Sequence, residues 1–431
     1  MSKTICYQKT VPVTGDFDVV VCGGGVAGFA AAVSAARAGQ RTALVERYGF
    51  FGGTATGGLV VPVSGFFFQE ERVAGGIGWE LMERLFEEGS ALAEMPKGHI
   101  SVKVEAMKRQ LQQMLSESGV ALYTNCTLTD CGAENGRLRH IVVEGKSGAE
   151  ALTAKFFIDA TGDGDLCFKA GVPMMEQAEE CQPMSLCFLL NGVDLTTDLM
   201  KNCIHHNGID SPHSANLQIA DFLKTKTDTV AQFGGPWFNT LLSGDAVAVN
   251  VTRKSGDATD RASLTAVETA LREDMFTVVG LLKEQYPEFK NAEIISSAVS
   301  VGVRESRHIQ GLGTACGAEM LAGTEYECPV ARCAHPMDIH SATSSAQTLT
   351  RLKGKAYVPH TALIPQGVEN LLAAGRCISA DRTAYATLRV QATLMCIGEA
   401  AGVMAAHCCR GGAATDGAVL KKEIQKRNIV L

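Results

Sequence analysis

A chain of 431 residues, 46% hydrophobic and 20% charged, has material for two or three packed domains. Its net charge of -7, with no basic run, argues against a phosphate-tracking surface for nucleic acid. No uninterrupted apolar run reaches the roughly 18 residues of a membrane span, and the N-terminal stretch has no signal-peptide core, so a cytoplasmic protein is expected.

The 15 cysteines are scattered and include no C-x-x-C pair, which removes zinc-ribbon and iron–sulfur patterns. Most read as small buried hydrophobes. In chain order, Asp18 to Cys22 (DVVVC) is an apolar strand that runs into GGGVAG. The alanine-rich stretch Ala27 to Ala38 predicts a helix ended by Gly39, and Arg41 to Val45 predicts a second strand, completing a βαβ unit. A glycine-rich segment, Gly49 to Gly65, follows. Helices are expected at Trp79 to Glu88 and at about Val102 to Ser118, where Val104, Met107, Leu111 and Leu115 share a face. Strands follow at Val120 to Leu128, near Leu138 to Glu144 and at Ala151 to Ile158, as a meander. From Pro173 to Leu352 the text changes to short strands (Pro183 to Leu190, Ala246 to Val251) around a long helix, about Ser263 to Glu284. A strand at Asn370 to Ala374 and an apolar helix, Leu394 to Cys408, return to the first pattern.

The motif Gly23-Gly24-Gly25-Val26-Ala27-Gly28 fits a dinucleotide fingerprint. Gly23 permits the tight turn, Gly25 lets a pyrophosphate approach the backbone, and Gly28 allows close helix–strand packing. The helix N-terminus then faces the phosphates. Glu46 ends the second strand and suits a ribose hydroxyl pair. The fingerprint alone does not separate NAD from FAD. Three later features favour the longer FAD: Arg47 and the loop Gly52-Gly53-Thr54 just past the ribose acid, the turn Thr161-Gly162-Asp163, and the returning turn Gly375-Arg376.

These motifs, with VGVRESRHI, PMDIH and LRVQATLMCIGEAAGVMAA, resemble the FAD-dependent oxidoreductase family, a distant relative of fumarate-reductase and glutathione-reductase folds. The resemblance covers nearly the whole chain. It implies bound FAD, redox activity and an α/β Rossmann-like FAD domain of glutathione-reductase type, with an inserted mixed α+β substrate domain. The expected division is 1–172 and 353–431 for the FAD domain and 173–352 for the insert. Asp381-Arg382-Thr383-Ala384 departs from the family's THEA-like text.

Four residues outside the fingerprint carry the candidate chemistry. Arg304 and His308, in GVRESRHIQG, bring a cation and an imidazole together whether the segment is extended or helical, whereas Arg307 points elsewhere. Pairing with Glu305 or another acid is the alternative for the arginines. In HPMDIH, Asp338 and His340 face one side if on a strand. His335 adds a second imidazole, but no third ligand at a recognisable spacing supports a metal, so none is expected. Arg389 precedes the closing helix, for which Thr393 is the candidate N-cap. Cys377 beside the last glycine turn suggests packing before any covalent link to flavin. The expected reaction is hydride transfer between a small organic, anionic substrate and FAD. With no second G-x-G-x-x-G after a strand, a separate electron acceptor or donor replaces an NAD(P)H domain. A flavin-dependent RNA-modifying enzyme and a non-catalytic flavin-binding protein are the alternatives.

Overall fold

The computed structural model describes residues 4–94, 98–176, 180–204, 214–226, 235–242, 244–342 and 347–430. The first three residues of the N-terminal stretch lie outside them. Strand β1 (Val13–Cys22) pairs in parallel with β2 (Thr42–Glu46), and β2 with β3 (Ala121–Thr124). The long strand β6 (Gly148–Asp159) lies parallel to β1 on its other side. Helix α1 (Val26–Arg37) connects β1 to β2, so the first three elements form the expected βαβ unit.

Strand β6 serves two neighbours along one edge. Its first half pairs antiparallel with β5 (Arg137–Gly145), which pairs with β4 (Thr127–Glu134). Its last three residues pair in parallel with β13 (Leu371–Ala373), the strand that returns from late in the chain. Asn370 fixes that junction. Its side chain accepts from Leu138 N–H at 2.8 Å and donates to the Leu138 and Lys155 carbonyls at 3.0 and 3.1 Å. The single strand expected over Val120 to Leu128 is instead two, broken at Asn125, whose φ of 57° turns the chain.

Helix α6 (Gln391–Cys409) crosses α1 at backbone contact. A Cβ on Gly398 would lie 2.0 Å from the Ala27 carbonyl oxygen, and one on Gly402 2.4 Å from that of Ala31. Two glycines one turn apart therefore set the crossing. By length and composition α6 could cross a membrane, with mean hydropathy 1.4, yet 83% of that stretch is buried inside the protein. Val390, not Thr393, is its N-cap. Thr393 lies one turn in, because the chain already turns helical at Gln391.

The described segments between 188 and 297 build a second layer. Four antiparallel strands, β7 (Phe188–Asn191), β8 (Trp237–Thr240), β9 (Val247–Asn250) and β10 (Glu293–Ser297), run in the order β8-β9-β7-β10. Helix α4 (Arg261–Gln285) packs on them through Met275, Val278 and Leu282. Its Asp260 cap accepts from Ser263 N–H at 2.6 Å. The strand expected from Pro183 is shorter as a regular ladder, but its early residues stay in register. Met184 exchanges backbone bonds with Lys254, and Ser185 with Gly302. This layer has one apolar core of its own and a second shared with Leu59, Val61 and Val104, whereas Ile309 and the segments after it pack with the first sheet.

Glu399 illustrates a cost borne by this packing. Its carboxylate, 2% exposed, accepts the Ile77 N–H at 2.6 Å and so caps helix α2 (Gly76–Glu87) from another helix. Burial pushes its pKa up to about 7, against the opposing pull of that hydrogen bond and of Arg427 and Arg37. The folded state thus prefers the protonated acid. This contribution is full below the unfolded value near 4.5 and is lost as pH rises through about 7. Glu399→Gln should therefore gain on the parent between pH 5 and pH 8, by on the order of 3 kcal/mol. The check is the difference between the two unfolding free energies across that window. A constant difference would contradict the assignment.

Candidate functional site

Four glycine-bearing turns meet at the ends of β1, β6 and β13. Gly23 has a φ of 100°, and a side chain there would strike the Ala160 carbonyl at 2.3 Å. A Cβ on Gly28 would stand 1.8 Å from the Gly23 carbonyl, so helix and strand touch there. Gly25 is different: the one atom within 4 Å of its missing Cβ is Gly53 Cα, at 3.9 Å. Space therefore lies in front of Gly25, at the N-terminus of α1, where no side chain caps the first turn, Val26 and Ala27 included. An anionic pyrophosphate fits that cradle of amides.

The loop after β2 closes the cradle. Gly52 donates its N–H to the Gly24 carbonyl at 2.8 Å, and a Cβ on Gly53 would lie 3.0 Å from Gly25 Cα. Both glycines have positive φ, 111° and 54°. Thr54 is partly exposed beside them. Glu46 is buried at the end of β2, where one carboxylate oxygen accepts from Gly24 N–H at 2.7 Å and the other from Tyr48 N–H at 2.9 Å. Each oxygen keeps a second lone pair for a ribose hydroxyl. Burial raises its pKa, against the two amide donors. Arg47 is exposed and lies over the Tyr48 ring.

Thr161, Gly162 and Asp163 form the turn after β6. Asp159 holds it by accepting from Thr161 N–H and hydroxyl and from Cys167 N–H. Gly375 (φ 92°) crosses above Ala27, with 3.3 Å between its missing Cβ and the Ala27 Cβ. The Arg376 guanidinium donates to Asp163 Oδ1 at 2.9 Å. Burial opposes its charge, but Asp163 wins and holds the guanidinium protonated above the ordinary arginine range. Arg376 thus ties the two glycine turns together. Cys377 is buried, and its thiol faces the Ala374 and Asp159 carbonyls. Burial raises its pKa well above the usual thiol range.

The segment 303–308 is irregular and runs from the bridge at Gly302 to that at Ile309, beside these turns. Ser306 donates to Asp163 Oδ1 at 2.6 Å, and Arg307 pairs with Asp165 at 2.5 Å. Glu305 accepts from Gln182 N–H, not from an arginine. Arg304 donates to the Pro183 carbonyl at 2.6 Å and to Ser185 Oγ at 2.8 Å, and the Tyr385 hydroxyl donates to its carbonyl. Burial, then Arg389, push the Arg304 guanidinium down to about 10. Its side chain therefore meets neutral oxygens and a neighbouring like charge.

His308 is 6% exposed and stands edge-on to the Tyr385 ring, centroids 4.5 Å apart. Its Nδ1 lies 3.1 Å from the Ile378 carbonyl, an acceptor, so Nδ1 carries the proton. Nε2 then bears a lone pair, and it is buried without a hydrogen-bond partner. Burial lowers its pKa, which keeps the ring neutral.

His340 lies on strand β11 (Met337–His340), two residues from Asp338, and the spacing puts both on one face. Its Nε2 is 2.9 Å from Asp338 Oδ2, and its Nδ1 contacts the Arg253 guanidinium. Both ring nitrogens are engaged. Burial holds the ring neutral, pushing its pKa down to about 3. Arg389 donates to the Asp338 carbonyl at 3.1 Å and to its Oδ2 at 3.3 Å. Two of the four sequence candidates, His340 and Arg389, thus meet on Asp338, whose charge and that of Arg389 also act on Arg304, and His308 stands across Tyr385. His335 bonds locally to the Pro336 carbonyl. Among the described residues no group of three histidines, cysteines or acids is placed to hold a metal.

Sequence reasoning missed Arg253. It follows β9 with no motif around it, and only the pairing of 184–186 between 252–254 and 302 brings it beside Arg304.

A family model described as FAD dependent oxidoreductase matches residues 18–427. Over 56 residues the chain is 41% identical to dihydrolipoyl dehydrogenase of Trypanosoma brucei brucei, 13% of this chain and 12% of that protein. The chain therefore spans about an eighth of that relative's length. The flavin-dependent brominase Bmp2 superposes with a TM-score of 0.50 at 12% identity, over 95% of this chain and 83% of that one. A geranylgeranyl bacteriochlorophyll reductase-like protein of Thermoplasma acidophilum gives 0.49 at 12% identity, over 96% and 83%. By the family match and the cradle that fits its pyrophosphate, the chain belongs to the FAD-dependent oxidoreductases, and its cofactor is FAD.

Proposed function

We propose that the chain oxidises or reduces a small organic anion with FAD held between its first glycine fingerprint and its C-terminal return. The architecture is a glutathione-reductase-type FAD domain, 1–172 and 353–431, around an insert at 173–352 whose own core lies within residues 188–292 and whose later segments, from Ile309, pack on the FAD domain. FAD, when bound, supplies a two-electron centre at its N5, to which or from which a hydride passes. Gly23 to Gly28, Gly52 to Thr54 and Glu46 hold its pyrophosphate and ribose. Thr161 to Asp163, Gly375 and Arg376 extend the seat toward its riboflavin half.

The observation that carries this reading is that Arg304 and His308, four residues apart on one segment, meet Tyr385 from the distant segment that also carries Arg389, with His308 next to the last glycine turn through Ile378. Arg304 and Arg389 bind the substrate anion. His308 accepts a substrate proton at Nε2, the one imidazole nitrogen of the cluster with a buried, uncommitted lone pair. Asp338 and His340 orient Arg389. The test is anaerobic absorbance of the FAD-loaded protein, both oxidised and dithionite-reduced, against a panel of small organic acids and their neutral analogues. Bleaching of the oxidised flavin, or reoxidation of the reduced flavin, by an acid supports the reading. A response to neutral compounds alone, or to none, would leave a different substrate class or a non-catalytic flavoprotein.

Electrons reach or leave the flavin through a separate partner. NADH and NADPH should therefore reduce it slowly or not at all in anaerobic stopped-flow mixing. Fast, saturable reduction by either would reveal a nicotinamide site.

A further inference from the structure

We propose that Tyr385 is a positioning residue for His308, holding its imidazole in one plane and one tautomer. The proposal rests on the proton-transfer reading of His308 above and adds what keeps that base in place.

An imidazole tied down by one hydrogen bond can still turn. His308 has such a bond, from Nδ1 to the Ile378 carbonyl at 3.1 Å, while Nε2 is buried without a hydrogen-bond partner. A flip about the Cβ–Cγ bond would trade Nδ1 for a carbon and carry Nε2 away from its place. A second contact has to fix the plane, and Tyr385 supplies it. Its ring stands edge-on to the imidazole, with centroids 4.5 Å apart and planes at 77°, a favoured arrangement of two aromatic rings.

Tyr385 can act as a wall because it is held at both ends. It is fully buried on the short helix Arg382–Leu388, whose Asp381 cap accepts the Ala384 N–H at 2.7 Å and the Gly317 N–H at 2.9 Å. At the far end of the side chain its hydroxyl donates to the Arg304 carbonyl, and the Arg376 guanidinium reaches the same hydroxyl. Burial, against the pull of Arg376 and Arg389, pushes that hydroxyl up to about 12, so it stays protonated and keeps donating. Arg376 is itself bound to Asp163, whose Oδ1 also accepts from Ser306. One side chain thus grips the 303–308 segment twice, at the Arg304 carbonyl and at the His308 ring. A residue that served the core alone would need the ring and no hydroxyl.

The experiment is NMR of the imidazole nitrogens in histidine-labelled, FAD-loaded protein, with His308 assigned by its loss in His308→Asn. Burial, with Arg376, opposes charge on this ring, against the Ile378 carbonyl and Glu305. At pH 6.5, the ordinary imidazole midpoint, the parent should therefore show a neutral His308 with its proton on Nδ1. Tyr385→Phe keeps the ring and loses the hydroxyl, and should mix the two tautomers. Tyr385→Leu also removes the wall, and should let the ring take up a proton at that pH. His407, paired with Asp416 at 2.8 Å near the other end of α6, should change in neither and so marks any general loosening. With an acid found to react, Tyr385→Phe should lower kcat by about ten- to a hundredfold and leave KM within about twofold. A parent-like single tautomer in Tyr385→Phe, an equal disturbance of His407, or an unchanged kcat would overturn the proposal. If no acid reacts, the proton-transfer reading fails, and the tautomer of His308 in Tyr385→Phe still decides whether Tyr385 holds the ring.

Discussion

Gly25→Val should yield a folded protein that has lost its FAD. The two halves of that expectation have separate causes. Gly25 has a φ of -64°, which any L-residue adopts, and its Cβ would meet only Gly53 Cα at 3.9 Å. The apoprotein therefore has room for a branched side chain. That room is the cradle in front of the α1 amides, so the same side chain stands where the pyrophosphate must lie. An affinity loss of at least about a hundredfold is expected, roughly 3 kcal/mol. Gly28→Val makes the contrast. Its Cβ would sit 1.8 Å from the Gly23 carbonyl, within the helix–strand contact, so this variant should fail to fold rather than fail to bind. Flavin content and thermal unfolding, measured together, separate the two. A yellow, fully loaded Gly25→Val protein would refute the placement of the cofactor.

The second large effect is expected at His308 and Arg304. His308→Asn removes the buried Nε2 lone pair, and loss of a positioned proton-transfer group costs about 10²- to 10⁴-fold in rate. Arg304→Met removes a cation that faces neutral oxygens, and truncating one partner of a buried charged contact costs about 2–5 kcal/mol. Both variants should keep FAD, because neither side chain touches the fingerprint or the Gly52-Gly53 loop. The signatures differ. His308→Asn should lower kcat, whereas Arg304→Met should mainly raise KM. His340→Ala also breaks the link between Arg253 and Asp338, so its loss should follow the arginines and appear in KM. A kcat effect confined to His340→Ala would return the proton-transfer role to that ring.

The sequence made the cofactor half of the protein legible because its signals are local. Gly23, Gly25 and Gly28 do their work within one turn of backbone, and the strand before them and helix after them are periodic. Gly398 and Gly402 were equally decisive for packing but carried no local signal, since their role is defined by Ala27 and Ala31 on another helix. The substrate side was less legible for the same reason. Asp338 and His340 could be paired from their spacing on a strand. Arg253 could not, because strand pairing across distant segments sets its place. Arg304 was readable as a cation, but its partners, Pro183 and Ser185, were not. The identity of Thr393 as a cap failed because the helix begins two residues earlier, at Gln391.

The most direct test of the whole account is a crystal structure of the FAD-loaded protein. It should place the pyrophosphate against Gly25 and Gly53 and the ribose against Glu46. At least two of Arg304, His308, His340 and Arg389 should reach the isoalloxazine or the cavity above it. An isoalloxazine lying away from all four would contradict the proposed substrate site, even with FAD bound in the glycine cradle.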